Sequence, residues 1–250
     1  MEDQKNTIFI TGASSGVGHA LALSYANPNT TLLLMGRDVA RLKDIQTLCT
    51  AKGAIVKVAS IDVTNTAQMK KQITKWDNET PINLVIANAG IGFKGAETTE
   101  NLMMVLNINL NGVLNTIEPL IPLMQLRKSG QIAVMSSLAA FRGMPDARAY
   151  SASKAAVRFY GEALRPVLAL DNIGVCVICP GFIETPLTAV NKFKMPLIMK
   201  PKKAADKIIR GLAKNKARIA FPLPTYIMTR CMEILPKFMS DPILMSPPKR

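Results

Sequence analysis

The sequence predicts a single α/β domain whose core is a doubly wound, parallel sheet of seven strands. Apolar runs of four to seven residues alternate with longer amphipathic stretches, which is the rhythm of strand, helix, strand. The chain has 250 residues, 48% of them hydrophobic, enough for one large core, and no internal repeat or low-complexity linker divides it. Gly12, Asn88, Ser137 and Pro180 each directly follow an apolar run, as expected of a ligand cleft outside the carboxyl ends of parallel strands.

Thr7–Thr11 reads as the first strand, ended by glycines, and Ser15–Tyr25 as the helix after it. Thr31–Met35 is the second strand, and Asp38 stands where its carboxylate can cap the helix Val39–Cys49. Strands at Ile55–Ala59 and Ile82–Ala87 flank a helix at Ala67–Trp76. Thr99–Met124 is helical with one break, followed by a strand at Gln131–Met135, a helix at Tyr150–Leu170 and a strand at Ile173–Cys179. A helix at Ala204–Asn215 and a strand at Arg218–Phe221 complete the sheet. Residues 1–221 thus form the domain, with 182–203 as a lid, and residues 222–250 form an apolar, basic C-terminal extension.

Met1–Lys5 is too short for a signal peptide, and no run reaches the ~18 apolar residues of a membrane span, so the expected location is cytoplasmic. The scattered cysteines Cys49, Cys176, Cys179 and Cys231 suit reduced thiols. Cys176 and Cys179 have the spacing of a redox or zinc pair, but on a strand an odd separation sends them to opposite faces, and no metal is expected. The lone histidine, His19, reads as a packed or surface residue. The net charge of +14 is uneven: of 31 Lys and Arg and 17 Asp and Glu, 14 and 4 lie beyond residue 180. With 5% aromatic residues and no recognisable nucleic-acid motif, that surplus argues against a nucleic-acid partner.

Gly12, Gly16 and Gly18 fall between a strand and a helix, where missing side chains permit a tight turn, close approach of a phosphate and packing of helix on strand. Ser14 and Ser15 add hydroxyls for the loop or the phosphates. Tyr150 and Lys154 are four apart, so on a helix they share one face, and an ammonium beside a phenol favours the phenolate. Lowering a phenol from ~10 to ~7 requires roughly 4 kcal/mol of differential stabilisation, within reach of a close cation plus a cofactor charge in a dry cleft. Ser137 and Tyr150 can donate from two sides to a carbonyl oxygen on which negative charge builds as hydride arrives.

Thr11-Gly-x-x-x-Gly-x-Gly18, Asn88-Ala89-Gly90, Ser137, Tyr150-x-x-x-Lys154 and Pro180-Gly181, in that order, resemble the short-chain dehydrogenase/reductase family over residues 7 to about 221. The resemblance implies a single Rossmann-like domain and an oxidoreductase that interconverts a carbonyl and an alcohol. Tyr150 would be its acid and base, Ser137 would hold the substrate oxygen, and Lys154 would bond the nicotinamide ribose. Asn109 would anchor a relay water, with Asn107 and Asn111 as its rivals. Along with Gly12, Ser14, Ser15, Gly16, Val17 and Gly18, the cofactor would meet Asp62 and Val63, then Asn88, Ala89 and Gly90. Pro180, Gly181, Ile183 and Thr185 would lie near the nicotinamide. The resemblance also implies a homodimer or homotetramer through the helices at 99–124 and 150–170.

At the end of the second strand, Gly36 occupies the position where NAD binders place an acid, and Arg37 follows, which favours NADP(H) over NAD(H). Asp38 weighs against that preference, as does the lack of a basic residue at Ser15. The lid mixes Leu187, Val190, Phe193, Met195, Leu197, Ile198 and Met199 with lysines and suggests a hydrophobic or lipid-like substrate. The extension can lie on an anionic membrane surface, or dock over the protein's own substrate cleft or a second subunit. A non-catalytic dinucleotide-binding regulator would have no need of Ser137, Tyr150 and Lys154 together. The short region after Pro180 leaves little room for the nucleotide-sugar domain of an epimerase.

Overall fold

The computed structural model describes residues 6–92, 98–189, 191 and 195–245. Its sheet comprises β1 (Asn6–Thr11), β2 (Thr30–Gly36), β3 (Ile55–Ser60), β4 (Leu84–Ala87), β5 (Gly130–Met135), β6 (Ile173–Pro180) and β7 (Arg218–Phe221). All neighbours pair in parallel in the order β3-β2-β1-β4-β5-β6-β7, the seven-stranded doubly wound sheet read from the sequence. The order reverses between β1 and β4, where Ile8 is in register with Leu84, and this crevice is where such sheets bind ligands.

Side-chain alternation along the strands feeds two core layers. Ile8, Ile10, Leu32 and Leu34 pack on one face under α1 (Gly16–Tyr25), α2 (Val39–Thr50) and α8 (Pro201–Ala213). Phe9, Leu33, Met35 and Val85 pack on the other under α3 (Thr66–Glu79), α5 (Gly112–Ile117), α6 (Ile121–Arg127) and α7 (Arg148–Ala169). Asp38 caps α2 as expected, accepting a hydrogen bond from the Arg41 amide at 3.0 Å. Cys176 enters the first layer and Cys179 the second, so the strand separates them, and burial pushes both thiols up to about 12. Among the described residues no cluster of His, Cys, Asp or Glu could hold a metal ion, and no helix is long and apolar enough to cross a membrane.

Several boundaries move for identifiable reasons. β4 starts at Leu84, not Ile82, because the Ile82 amide donates to Asp77 and the Asn83 carboxamide accepts from the Thr7 amide, each at 2.8 Å. The helical stretch from residue 99 holds two interruptions. After α4 (Thr99–Leu106) comes a π turn at Asn107–Asn111, and α5 is separated from α6 just before Pro122, which has no amide hydrogen to donate. α7 begins at Arg148, so Tyr150 lies within its first turn. The extension forms two helices, α9 (Leu223–Ile234) and α10 (Lys237–Met245), divided at Pro236.

The lysine-rich α8 contributes Ile208 and Leu212 to the first core layer, whereas Tyr226 of α9 packs on the second. The basic helix and the apolar extension therefore occupy opposite faces of the sheet. Leu223, Ile227, Ile234, Phe238 and Ile243 of the extension are exposed, as are Phe159, Val167 and Leu170 along α7.

Candidate active site

β1 delivers Thr11 to a turn that only glycine adopts without strain at two points, Gly12 at φ +66 and Gly16 at φ +56. A Cβ on Gly12 would lie 2.9 Å from the Ala89 Cα, so the turn and the segment after β4 are in backbone contact. Asn88 fixes that contact: its carboxamide donates to the Thr11 and Gly12 carbonyls at 3.0 and 3.3 Å. In return the Thr11 hydroxyl accepts from the amides of Asn88 and Ala89 at 3.1 and 3.2 Å. Asn88 thus shapes the loop with its side chain. Ser15 precedes α1 without a side-chain capping bond, so the first amides of that helix face the loop as an anion site.

A cleft of about 250 Å³ opens at this point between β1, β4, β5 and β6. It is lined by Gly12, Ser14, Ser15, Gly16, Val17, Arg37, Asp62, Val63, Asn88, Ala89, Gly90, Tyr150, Lys154, Pro180, Gly181, Ile183 and Thr185. Among the residues expected to touch a dinucleotide, Gly18 is placed elsewhere. It is buried, and a Cβ there would fall 2.2 Å from the Gly12 carbonyl oxygen, so it serves close packing under the loop. Gly36, read from the sequence as the position of an NAD binder's acid, is a wall of the cleft, where a Cβ would meet the Ser14 hydroxyl at 3.1 Å, and Leu187 lines it as read; sequence reasoning missed Ile91, Ile108 and Pro186 as apolar lining. The cradle of positive-φ glycines, the uncapped helix and the absence of side chains at Gly36 and Gly90 fit a dinucleotide.

Where β2 and β3 end at the cleft, the Arg37 guanidinium stands 3.7 Å from Asp62 and its side chain is 65% exposed. Asp62 also accepts from the Thr64 amide and hydroxyl at 2.9 and 2.8 Å. Its burial raises the carboxyl pKa, but the Thr64 bonds and the Arg37 charge outweigh that and hold it below the ordinary value. Asp38 is engaged with Arg41 at 3.2 Å, which occupies the acid that had weighed against NADP(H).

At the other end, Ser137, just beyond β5, lies close enough to the Tyr150 hydroxyl to favour its ionised form, and the Lys154 Nζ sits 5.7 Å from the Tyr150 ring centroid. Ser136 holds the helix that carries them, its hydroxyl donating to the Lys154 carbonyl at 2.7 Å. The Lys154 ammonium donates to the Met135 carbonyl at 2.8 Å. Burial pulls the lysine pKa down to about 8. Contrary to the expectation of a depressed phenol, burial raises the Tyr150 pKa, and Ser137 opposes it only in part. Desolvation acts on both partners of the pair, disfavouring the phenolate and the ammonium alike.

Asn109 sits fully buried in the π turn. It is bonded to the Ile91 amide at 2.8 Å, the Ile91 carbonyl at 2.9 Å and the Ser153 hydroxyl at 3.1 Å. Its rivals Asn107 and Asn111 are exposed and bond each other at 2.9 Å. Gly90 lies over this network, where a Cβ would come within 3.1 Å of Asn109 and 3.3 Å of the Lys154 Nζ. In the segment read as a lid, Ile183 bridges to Met199, and Leu187 reaches the cleft beside Gly92. Val190 and Phe193 lie outside the described residues.

The family model for short chain dehydrogenase matches residues 6–195. The chain belongs to the short-chain dehydrogenase family. Its curated relatives include an uncharacterized oxidoreductase of Myxococcus xanthus, 34% identical over 241 residues that cover 94% of each chain. Another is the ketoacyl reductase HetN of Nostoc, 31% identical over 84% of this chain and 76% of that one. Among solved structures, a short-chain dehydrogenase from Sphingobium yanoikuyae in complex with NADPH superposes with a TM-score of 0.82 at 23% identity, covering 98% and 97% of the two chains. This short-chain dehydrogenase is accordingly an NAD(P)-binding oxidoreductase that acts on a small molecule.

Proposed function

We propose that the enzyme reduces a hydrophobic carbonyl compound with NADPH, or runs the reverse oxidation, using Tyr150 as acid and base. The observation that carries this reading is that Tyr150 and Lys154 line the same cleft as the glycine turn, with Ser137 close enough to Tyr150 to act on its pKa. A bound reduced nicotinamide supplies the hydride. As charge builds on the substrate oxygen, Tyr150 gives up its proton and Ser137 donates a hydrogen bond to that oxygen. The Lys154 ammonium stabilises the phenolate that remains, and Asn109 keeps the Ile91 segment and Ser153 in place behind it.

NADP(H) is favoured because Gly36 leaves room where an acid would repel a phosphate, while Arg37 offers a guanidinium to it. The hydrophobic substrate class rests on Ile91, Pro186 and Leu187 in the lining, with a ketoacyl reductase among the relatives as support. For assembly we favour a homodimer or homotetramer over membrane contact, since the cations concentrate near α8 and the apolar extension lies across the sheet from them.

The test is fluorescence titration with NADPH and NADH, followed by a panel of apolar ketones and aldehydes. Tighter binding of NADPH and turnover of panel members are expected. Arg37→Ala is expected to weaken NADPH about tenfold or more and leave NADH nearly unchanged, as loss of a charge-assisted phosphate contact requires. Equal loss for both cofactors would sink the selectivity argument.

A further inference from the structure

We propose that the C-terminal helices α9 and α10 position the loop at 141–147, which joins Ser137 to Tyr150, with Glu233 and Asp241 acting through Arg158 and Arg142. The inference rests on the carbonyl-reductase reading above and adds a set of positioning residues to it.

The loop has little support from the domain itself. Gly143, Met144, Pro145 and Asp146 are exposed, and a cavity of about 530 Å³ runs between the loop, α7 and α10. It is tied to the catalytic helix by the Met144 amide donating to the Ser151 hydroxyl at 3.2 Å and by Arg158 over the Phe141 ring. The extension adds contacts of its own, alongside Arg158 of α7 and Arg218 of β7. Phe141, 4% exposed, packs edge-on against Tyr226 of α9 with ring centroids 5.4 Å apart. Three guanidinium groups surround the same ring, Arg158 at 4.4 Å, Arg218 at 5.4 Å and Arg230 at 5.5 Å. Three cations around one buried ring need counter-charge, and Glu233 of α9 gives it to Arg158 at 3.2 Å and to Arg230. The next residue, Arg142, reaches α10, donating to the Ser240 hydroxyl at 3.0 Å and to the Asp241 carboxylate.

Tyr150 and Lys154 do not depend on this clamp, because Ser136 and Met135 bind the helix that carries them. Loosening the clamp therefore frees the loop that joins Ser137 to Tyr150 while leaving the acid and the cofactor cradle in place. Its signature is a rise in KM with kcat nearly kept.

The experiment uses the full chain carrying Glu233→Gln and Asp241→Asn together. Hydrogen exchange of the amides at 138–149 is expected to quicken about fivefold or more, with β1–β3 unchanged. NADPH affinity is expected to hold within about twofold, while KM for the best ketone of the panel rises about fivefold and kcat stays within about twofold. Asp241→Glu, which can keep the Arg142 pair, is expected to behave as the unaltered chain. Unchanged exchange at 138–149, faster exchange throughout with a lower Tm, or a loosened loop with unaltered KM would each overturn the proposal. If the unaltered chain binds NADPH yet reduces no carbonyl, the functional reading fails, and the exchange measurement still decides whether the extension holds the loop.

Discussion

Lys154 is 3% exposed and donates to the Met135 carbonyl, an arrangement that costs the folded state when the amine is charged. Its pKa falls from an ordinary 10.5 to about 8, so between these values the unfolded chain binds more protons than the folded one. Stability must then rise with pH through that window, by up to about 3 kcal/mol, and the penalty is present in full below about pH 8. We expect the Tm of the unaltered chain to gain on that of Lys154→Met between about pH 7.5 and pH 10; a constant difference would contradict the burial argument. Tyr150→Phe keeps the ring and loses the proton, so kcat is expected to fall about 100-fold to 10,000-fold while NADPH affinity is kept. Sustained turnover would remove Tyr150 from the role of acid. Tyr150 and Lys154 were legible because their spacing on a helix is a property of the sequence. The direction of the Tyr150 shift was not, since it depends on how much water the fold removes from the phenol.

Among the elements, the glycine turn between β1 and α1 was visible in the sequence, but its construction is tertiary. Asn88 lies 76 residues from Gly12 in sequence and yet bonds its carbonyl, a contact no local pattern reveals. Gly18, taken as a ligand contact, is where the first helix crosses under the turn. Gly18→Ala would force a methyl group to within 2.2 Å of the Gly12 carbonyl. The cost is expected to be about 1–3 kcal/mol, by analogy with overpacking a core. Because the displaced atom belongs to the cradle, both NADH and NADPH should bind about tenfold or more weakly, read by fluorescence titration with Tm measured alongside. Loss of one cofactor alone would be inconsistent with that geometry. The break in the long helix was foreseen without its place, and the π turn that presents Asn109 has no residue signature, since Asn107, Asn109 and Asn111 look alike until the helix is wound.

Across the whole molecule, α7 carries an exposed apolar stripe in which Phe159 is 61% and Val167 58% exposed. In the homodimer or homotetramer proposed above, such a stripe is the candidate surface for another copy of the chain. Phe159→Glu is expected to shift the mass measured by light scattering to that of a single chain at micromolar concentration; an unchanged mass would place the contact elsewhere. Net charge and the apolar extension were visible in the sequence, whereas their separation to opposite faces was not, because it depends on which side of the sheet α8 and α9 take after β6 and β7. The strand order also bears on how the chain is made. β1 leaves the ribosome before any other strand and ends in the middle of the sheet, with Ile8 beside Leu84. β2 can join it early, but its other edge stays bare until β4 emerges, an interval on the order of ten seconds at ordinary rates of synthesis. During that interval Ile8, Phe9 and Ile10, all completely buried in the finished molecule, border an unpaired strand edge. The nascent protein is therefore open to mispairing while its first three strands are out and its fourth is still inside the ribosome.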